Sequence, residues 1–243
     1  MPDLILEHLY IEVTRRCNMK CDHCLRGQAE NFDLKIEDIN ILFDNLNIKK
    51  INTLTITGGE PTLNSKVILH ILKKIISKRI IVNNFNMVIN GSNYNQALID
   101  GLNEFYIYCN GINLICSRDQ YHKQPKKEII DKYKKLPYFI DNYVKLSNQE
   151  IIQIGRAREN NLGTKESYND TIKRFSQYKY NNDPTTYDID NQIKLKQLYL
   201  SSKGLYSFHI IDVPFKQIDE LCIYSIYEVR NKLTKTNNGK FFK

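Results

Sequence analysis

Cys17, Cys21 and Cys24 fall within the run Arg16-Cys17-Asn18-Met19-Lys20-Cys21-Asp22-His23-Cys24-Leu25, spaced C-x3-C-x2-C. Three thiolates on one short segment can hold three irons of a [4Fe-4S] cube, leaving the fourth iron without a protein ligand. An open coordination position accepts a substrate or cofactor, by the logic that leaves catalytic zinc sites open. A structural zinc site, Cys3His with His23 or a distant residue, is the competing metal reading. Such sites are built from paired knuckles, and no second C-x2-C follows here. Of the other cysteines, Cys109 and Cys116 read as small buried hydrophobes, and Cys222 stands alone.

Further chemistry-bearing residues come at intervals: Thr57-Gly58-Gly59-Glu60-Pro61, Asn90-Gly91-Ser92, Ser117-Arg118-Asp119-Gln120-Tyr121-His122 and Gly155-Arg156-Ala157. Two glycines let a backbone approach a ligand closely, and a proline stiffens the turn behind them. Glu60 adds a carboxylate and Arg156 a guanidinium, groups able to form charge-assisted hydrogen bonds. His122 reads as a structural residue at a helix start.

The elements that must position these residues alternate in type. Residues 9–13, ending at Thr14-Arg15-Arg16, and 51–57, 80–89 and 112–116, ending in Gly, Asn or Ser, are β-branched or apolar runs that predict strands, and 139–146 is a further candidate. Residues 151–154 predict a sixth. Between them, 36–46, 67–76, 95–108 and 128–136 carry helical spacing, with Asn64 or Ser65 capping the second. Alternating strands and helices imply right-handed βαβ units and a parallel sheet. Such sheets bind ligands at the carboxyl ends of their strands, and that is where Cys17, Gly58, Asn90, Ser117 and Arg156 fall.

The cysteine triplet resembles the cluster motif of the radical SAM superfamily, and Gly58-Gly59-Glu60-Pro61 resembles that family's GGEP motif. Ser117-Arg118-Asp119-Gln120-Tyr121-His122 is similar to its Ser-x-Asp-x-aromatic-His segment. Gly155-Arg156-Ala157 is similar to a turn of its peptide-modifying members. The resemblance spans about residues 8 to 160. It implies a partial (β/α)6 TIM-like barrel, a [4Fe-4S] cluster on Cys17, Cys21 and Cys24, and S-adenosyl-L-methionine as cofactor. It further implies cofactor contacts from His23, Gly58, Gly59, Glu60, Pro61, Asn90, Ser117, Asp119 and Arg156. In the family, an electron from the cluster cleaves the cofactor to a 5′-deoxyadenosyl radical, which abstracts hydrogen from the substrate. An external donor such as flavodoxin or ferredoxin is implied as a partner.

After residue 160 the chain becomes polar. The alternation over 194–202 and 205–213 about Lys203-Gly204 predicts a β-hairpin, and 221–233 predicts a helix. The expected organisation is a barrel over 1–160 and an extension over 161–243. That extension resembles the auxiliary-cluster region of the SPASM and twitch branches, without its cysteines. A peptide or protein is therefore the expected substrate. The alternatives are a nucleotide or tRNA substrate, activation of a glycyl-radical enzyme, or a non-catalytic iron–sulfur or zinc protein. The net charge of +8 would suit nucleic acid. It is diffuse, however, and accompanies heavy use of Ile, Asn and Lys, the habit of an AT-rich genome. The absence of a long apolar run argues against a membrane span, and the first residues lack a signal-peptide layout. Six cysteines in such a chain suit metal binding or catalysis in the cytoplasm rather than a disulfide framework, and the resemblance implies a reducing, anaerobic setting.

Overall fold

From Leu9 onward the first strand is apolar or β-branched at nearly every position, with Leu9, Ile11 and Val13 fully buried. That is the pattern of a strand covered on both faces in a parallel sheet. In the computed structural model, which describes residues 3–164, 187–189, 192–206 and 224–233, it is β1 (Asp3–Thr14). It begins six residues before the predicted start, because Leu4 and Leu6 extend the buried face past the polar Glu7 and His8. β2 (Ile48–Gly58), β3 (Ile81–Ile89), β4 (Gly111–Arg118) and β5 (Phe139–Tyr143) follow it, each pairing in parallel with the strand before.

The helices between them are α1 (Ile36–Asn45), α2 (Ser65–Ser77), α3 (Gln96–Tyr108) and α4 (Lys127–Tyr133). α2 buries Val67, Ile68, Ile71, Leu72 and Ile75, the 3.6-residue stripe that drives it onto the sheet. Asn95 caps α3, its side chain accepting from Leu98 N at 3.1 Å. Asn64 precedes α2 through a 3-10 turn, Pro61–Asn64.

The expected strand at 151–154 does not form. Ile152 makes a single bridge with Thr164, while Ile151 and Ile154 are buried side chains rather than rungs of a ladder. The sixth parallel strand comes from much later. β6 (Tyr187–Ile189) pairs antiparallel with β7 (Gln192–Leu200), and β7 lies parallel to β1 from Asp3↔Gln192 to Ile11↔Leu200. β7 then turns back into β8 (Gly204–Tyr206), the predicted hairpin; residues 207–213 lie outside the described residues. Two residues, β9 (Tyr224–Ser225), pair with β8 ahead of the terminal helix, which begins later than expected; residues 221–223 lie outside the described residues.

The strand order is β5-β4-β3-β2-β1-β7-β8-β9, an open mixed sheet whose parallel part is a partial TIM-like barrel. A short helix α5 (Gly155–Glu159) follows β5, and α6 (Ile226–Leu233) ends the described chain. Among the described residues no helix is long and apolar enough to cross a membrane.

Candidate active site

Residues 15–32, which include the triplet, carry no helix or strand. Their geometry must therefore come from outside. The first half is held by the ends of β2 and β3. Gly59 N donates to Thr14 O at 2.9 Å and Glu60 N to Arg16 O at 2.8 Å. A Cβ on Gly58 would lie 2.3 Å from Thr14 O, and one on Gly59 would lie 2.4 Å from Arg16 O. The paired glycines thus let two backbones touch, which is a nearer use for them than approach to a ligand.

Glu60 is 1% exposed. Its Oε1 accepts from Thr62 N and Oγ1, and its Oε2 accepts from Asn90 N at 2.8 Å, tying the end of β2 to the end of β3. Burial pushes its carboxyl above the ordinary value despite these bonds. Asn90 Nδ2 reaches back to Asn18 Oδ1 at 2.9 Å, while Asn18 Nδ2 donates to Ser92 Oγ at 2.8 Å.

The second half is held by α5. Arg156 N donates to Cys24 O at 2.9 Å, Arg156 Nη2 to Lys20 O at 2.9 Å, and Asn160 Nδ2 to Asp22 O at 3.0 Å. Gly155 has φ of +54°, and a Cβ there would lie 2.5 Å from Leu25 O and 2.6 Å from Cys24 O. The guanidinium of Arg156 is thus engaged with the backbone of the cysteine loop and stands 3.7 Å from Asp22.

Between the two supports lies a cavity of about 500 Å³. Cys17, Cys21 and Cys24 line it together with His23, Gly59, Glu60, Asn90, Ser117 and Asp119, all expected from the sequence. Gly58, Pro61 and Arg156 are not among its lining residues. Asp119 sits between two imidazoles, Oδ2 at 3.0 Å from His23 Nε2 and Oδ1 at 2.9 Å from His122 Nδ1. Oδ1 also accepts from the backbone of Tyr121 and His122, so the segment after β4 is folded around this carboxylate. Burial foremost lowers the pKa of His23, against the pull of Asp119.

Sequence reasoning missed several lining residues. Arg26 is held by Glu12 and by Tyr199 of β7, whose hydroxyl donates to Glu12 Oε2 at 2.5 Å. Arg118 pairs with Asp141. Val144, Leu146, Ile151 and Ile152 form an apolar wall. The signal for that wall was present in the apolar run at 151–154, which periodicity alone could not separate from a strand.

The cysteines suit a multi-iron centre. Among the described residues, the side chains whose ligand atoms converge within 4.8 Å of one another are His23, Asp119 and His122; the three sulfurs do not form such a group. One zinc, about 2.3 Å from each sulfur, needs sulfurs about 3.8 Å apart. A wider spread fits a cluster in which each thiolate takes a different iron. Burial, then the other two cysteines, pushes the Cys21 thiol up to about 12, and burial also raises Cys17. Thiolates at Cys17 and Cys21 call for a cationic centre, whose binding would expel their protons.

The family model described as the Radical SAM superfamily matches residues 11–190. A curated relative, "Uncharacterized protein MJ0907" of Methanocaldococcus jannaschii, is 34% identical over 64 residues, which are 26% of this chain and 22% of that protein. The chain thus aligns with under a quarter of that relative's length. Among solved structures, BtrN in complex with AdoMet and 2-DOIA matches with a TM-score of 0.54 at 14% identity, covering 98% of this chain and 86% of that one. A histidine-tagged anSMEcpe with bound AdoMet matches with a TM-score of 0.54 at 14% identity, covering 98% and 84%. Native anSMEcpe with bound AdoMet and Cp18Cys peptide matches with a TM-score of 0.51 at 14% identity, covering 100% and 84%. At these identities the likeness is one of fold.

Proposed function

We propose a reaction for this chain, which belongs to the radical SAM superfamily and is a radical SAM enzyme. Cys17, Cys21 and Cys24 hold a [4Fe-4S] cluster, S-adenosylmethionine binds in the adjoining cavity, and the substrate is a peptide or protein. The observation that carries this reading is the convergence of the triplet with the ends of β2, β3 and β4 on one cavity. When bound, the reduced cluster supplies the electron that cleaves S-adenosylmethionine and so enables hydrogen abstraction.

The chain's own residues bind, orient and shield. Glu60 keeps lone pairs beyond those given to Thr62 and Asn90, and an ammonium beside it would favour its charged form. The His23 imidazole, inclined by burial to stay neutral, offers a flat face to an adenine. Ser117 brings a hydroxyl and Asp119 a carboxylate already fixed by two imidazoles. Gly58, Pro61 and Arg156 contribute by holding this frame rather than by contact. Val144, Leu146, Ile151 and Ile152 give the cavity an apolar side against which a bound substrate would displace water.

Two things support a peptide substrate: the Gly155-Arg156-Ala157 turn, and a neighbour of like fold whose structure holds a Cp18Cys peptide. Reduced flavodoxin or ferredoxin is the fitting electron source.

Anaerobic reconstitution should give about four irons per chain, and reductant should then drive 5′-deoxyadenosine formation that Cys17→Ala abolishes. One zinc per chain with no 5′-deoxyadenosine would overturn the reading. A deuterated peptide should pass its label into 5′-deoxyadenosine. Label transfer from tRNA instead, with binding that weakens steeply with salt, would move the substrate to nucleic acid.

A further inference from the structure

We propose that the turn at residues 155–160 is the positioning device of the cysteine loop, with Gly155, Arg156 and Asn160 fixing where Cys21 and Cys24 stand before any cluster is present. The loop's carbonyls at Lys20, Asp22 and Cys24 alternate along the chain, and all three accept from this one turn. Inside the loop, Cys24 N donates to Cys21 O and Gly27 N to Cys24 O, both at 3.2 Å. These are single-turn contacts that leave the loop's overall path open.

The turn fits backbone to backbone. Gly155 sits at positive φ, and a side chain there would strike Cys24 O, Leu25 O and Gly27 N within 2.8 Å. The turn itself is anchored, since Ala157 is fully buried and Leu162 N donates to Ala157 O at 2.8 Å. Arg156 has two functions here. Its forked guanidinium bonds a carbonyl, and its charge stands beside a loop that is to carry three thiolates. Gly155 and Arg156 therefore act through the cysteines, not on the substrate.

The clamp needs no cluster to exist; its consequence for the cluster rests on the function proposed above. The test has a part for each. In metal-free protein, hydrogen exchange of the amides over 20–27 should rise about tenfold or more in the Arg156→Gln, Asn160→Ala double variant, the effect of losing charge-assisted and neutral hydrogen bonds. Exchange in β2 should not move. Unchanged exchange over 20–27 would overturn the clamp.

After anaerobic reconstitution, the double variant should retain less than half the wild-type iron. The single Arg156→Gln variant should show a lower cluster midpoint potential, because a nearby cation is gone, and Arg156→Lys should restore it. A wild type with four irons, alongside variants equal to it in iron, electron paramagnetic resonance spectrum and potential, would overturn the positioning role and leave the cluster reading intact. A wild type without iron would overturn the cluster reading, and the exchange result alone would then decide the clamp. Gly155→Ala should behave like the double variant, but only Arg156→Lys separates charge from shape.

Discussion

The two halves of the cysteine loop are held in opposite ways. The half at Thr14 to Asn18 is fastened by the ends of strands, through Gly58, Gly59, the fully enclosed Glu60 and Asn90. The backbone of the half at Lys20 to Leu25 is fastened by a short helix near the surface, whose Arg158 and Glu159 are exposed, while the His23 side chain reaches Asp119 beyond β4. The first support is part of the core and cannot change without the sheet noticing. The second lies apart from the sheet ladder, so it can be altered while the sheet persists. Stability and site geometry are thereby assigned to different ends of one loop.

The largest effect should come from Gly59→Ala. Its Cβ would lie 2.4 Å from Arg16 O and 2.8 Å from Arg16 C, both backbone, so the end of β2 must shift. A loss above about 3 kcal/mol is expected, or a melting temperature lower by about 6–12 °C in calorimetry. Gly155→Ala, with an equally close clash at 2.5 Å, should cost less than half of that and instead lose iron. Equal melting temperatures for the two variants would erase the distinction between the supports.

A middling effect should follow Glu60→Gln, where an amide must face one of the donors now served by a carboxylate, costing about 1–3 kcal/mol. Its pH dependence sharpens the comparison. Because burial raises the carboxyl of Glu60 above 4.5 in the folded state, its stabilising contribution is full below 4.5 and falls as pH rises through the folded value. The stability of the wild type relative to Glu60→Gln should therefore decline from pH 4.5 upwards in urea titrations of metal-free protein; a difference that grows with pH would contradict the assignment. The smallest effect belongs to Gln28→Ala. It removes an exposed 3.2 Å bond to Glu159 at the outer rim of the second support, and should change stability by less than about 0.5 kcal/mol.

What was legible in the sequence was local. The triplet, the Gly58-Gly59-Glu60-Pro61 turn and the capping Asn95 announce themselves within a few residues, because spacing and backbone freedom are short-range properties. Asn18, Asn90 and Ser92 were harder to read as a unit, since two of them are among 27 asparagines and their contact joins chain positions far apart. Arg26, Glu12 and Tyr199 meet only because β7 lies against β1. The run at 151–154 misled for a physical reason. Buried Ile151 and Ile154 satisfy the same hydrophobic demand as strand residues, and nothing in four residues says whether their backbone finds a ladder. Arg156 read as a partner for an anion because guanidinium and carboxylate match so well; its bond to Lys20 O joins residues 136 positions apart, which spacing does not reveal.

The pairing of β7 with β1 sets a schedule for folding. Ile11 cannot meet Leu200 until the chain through Leu200 has left the ribosome, so one edge of β1 stays bare while β2 to β5 are being made. A pairing of such high contact order closes slowly, and an apolar strand waiting with an open edge invites the wrong neighbour. The nascent chain should therefore depend on a chaperone, or on slow translation, far more than the finished sheet suggests.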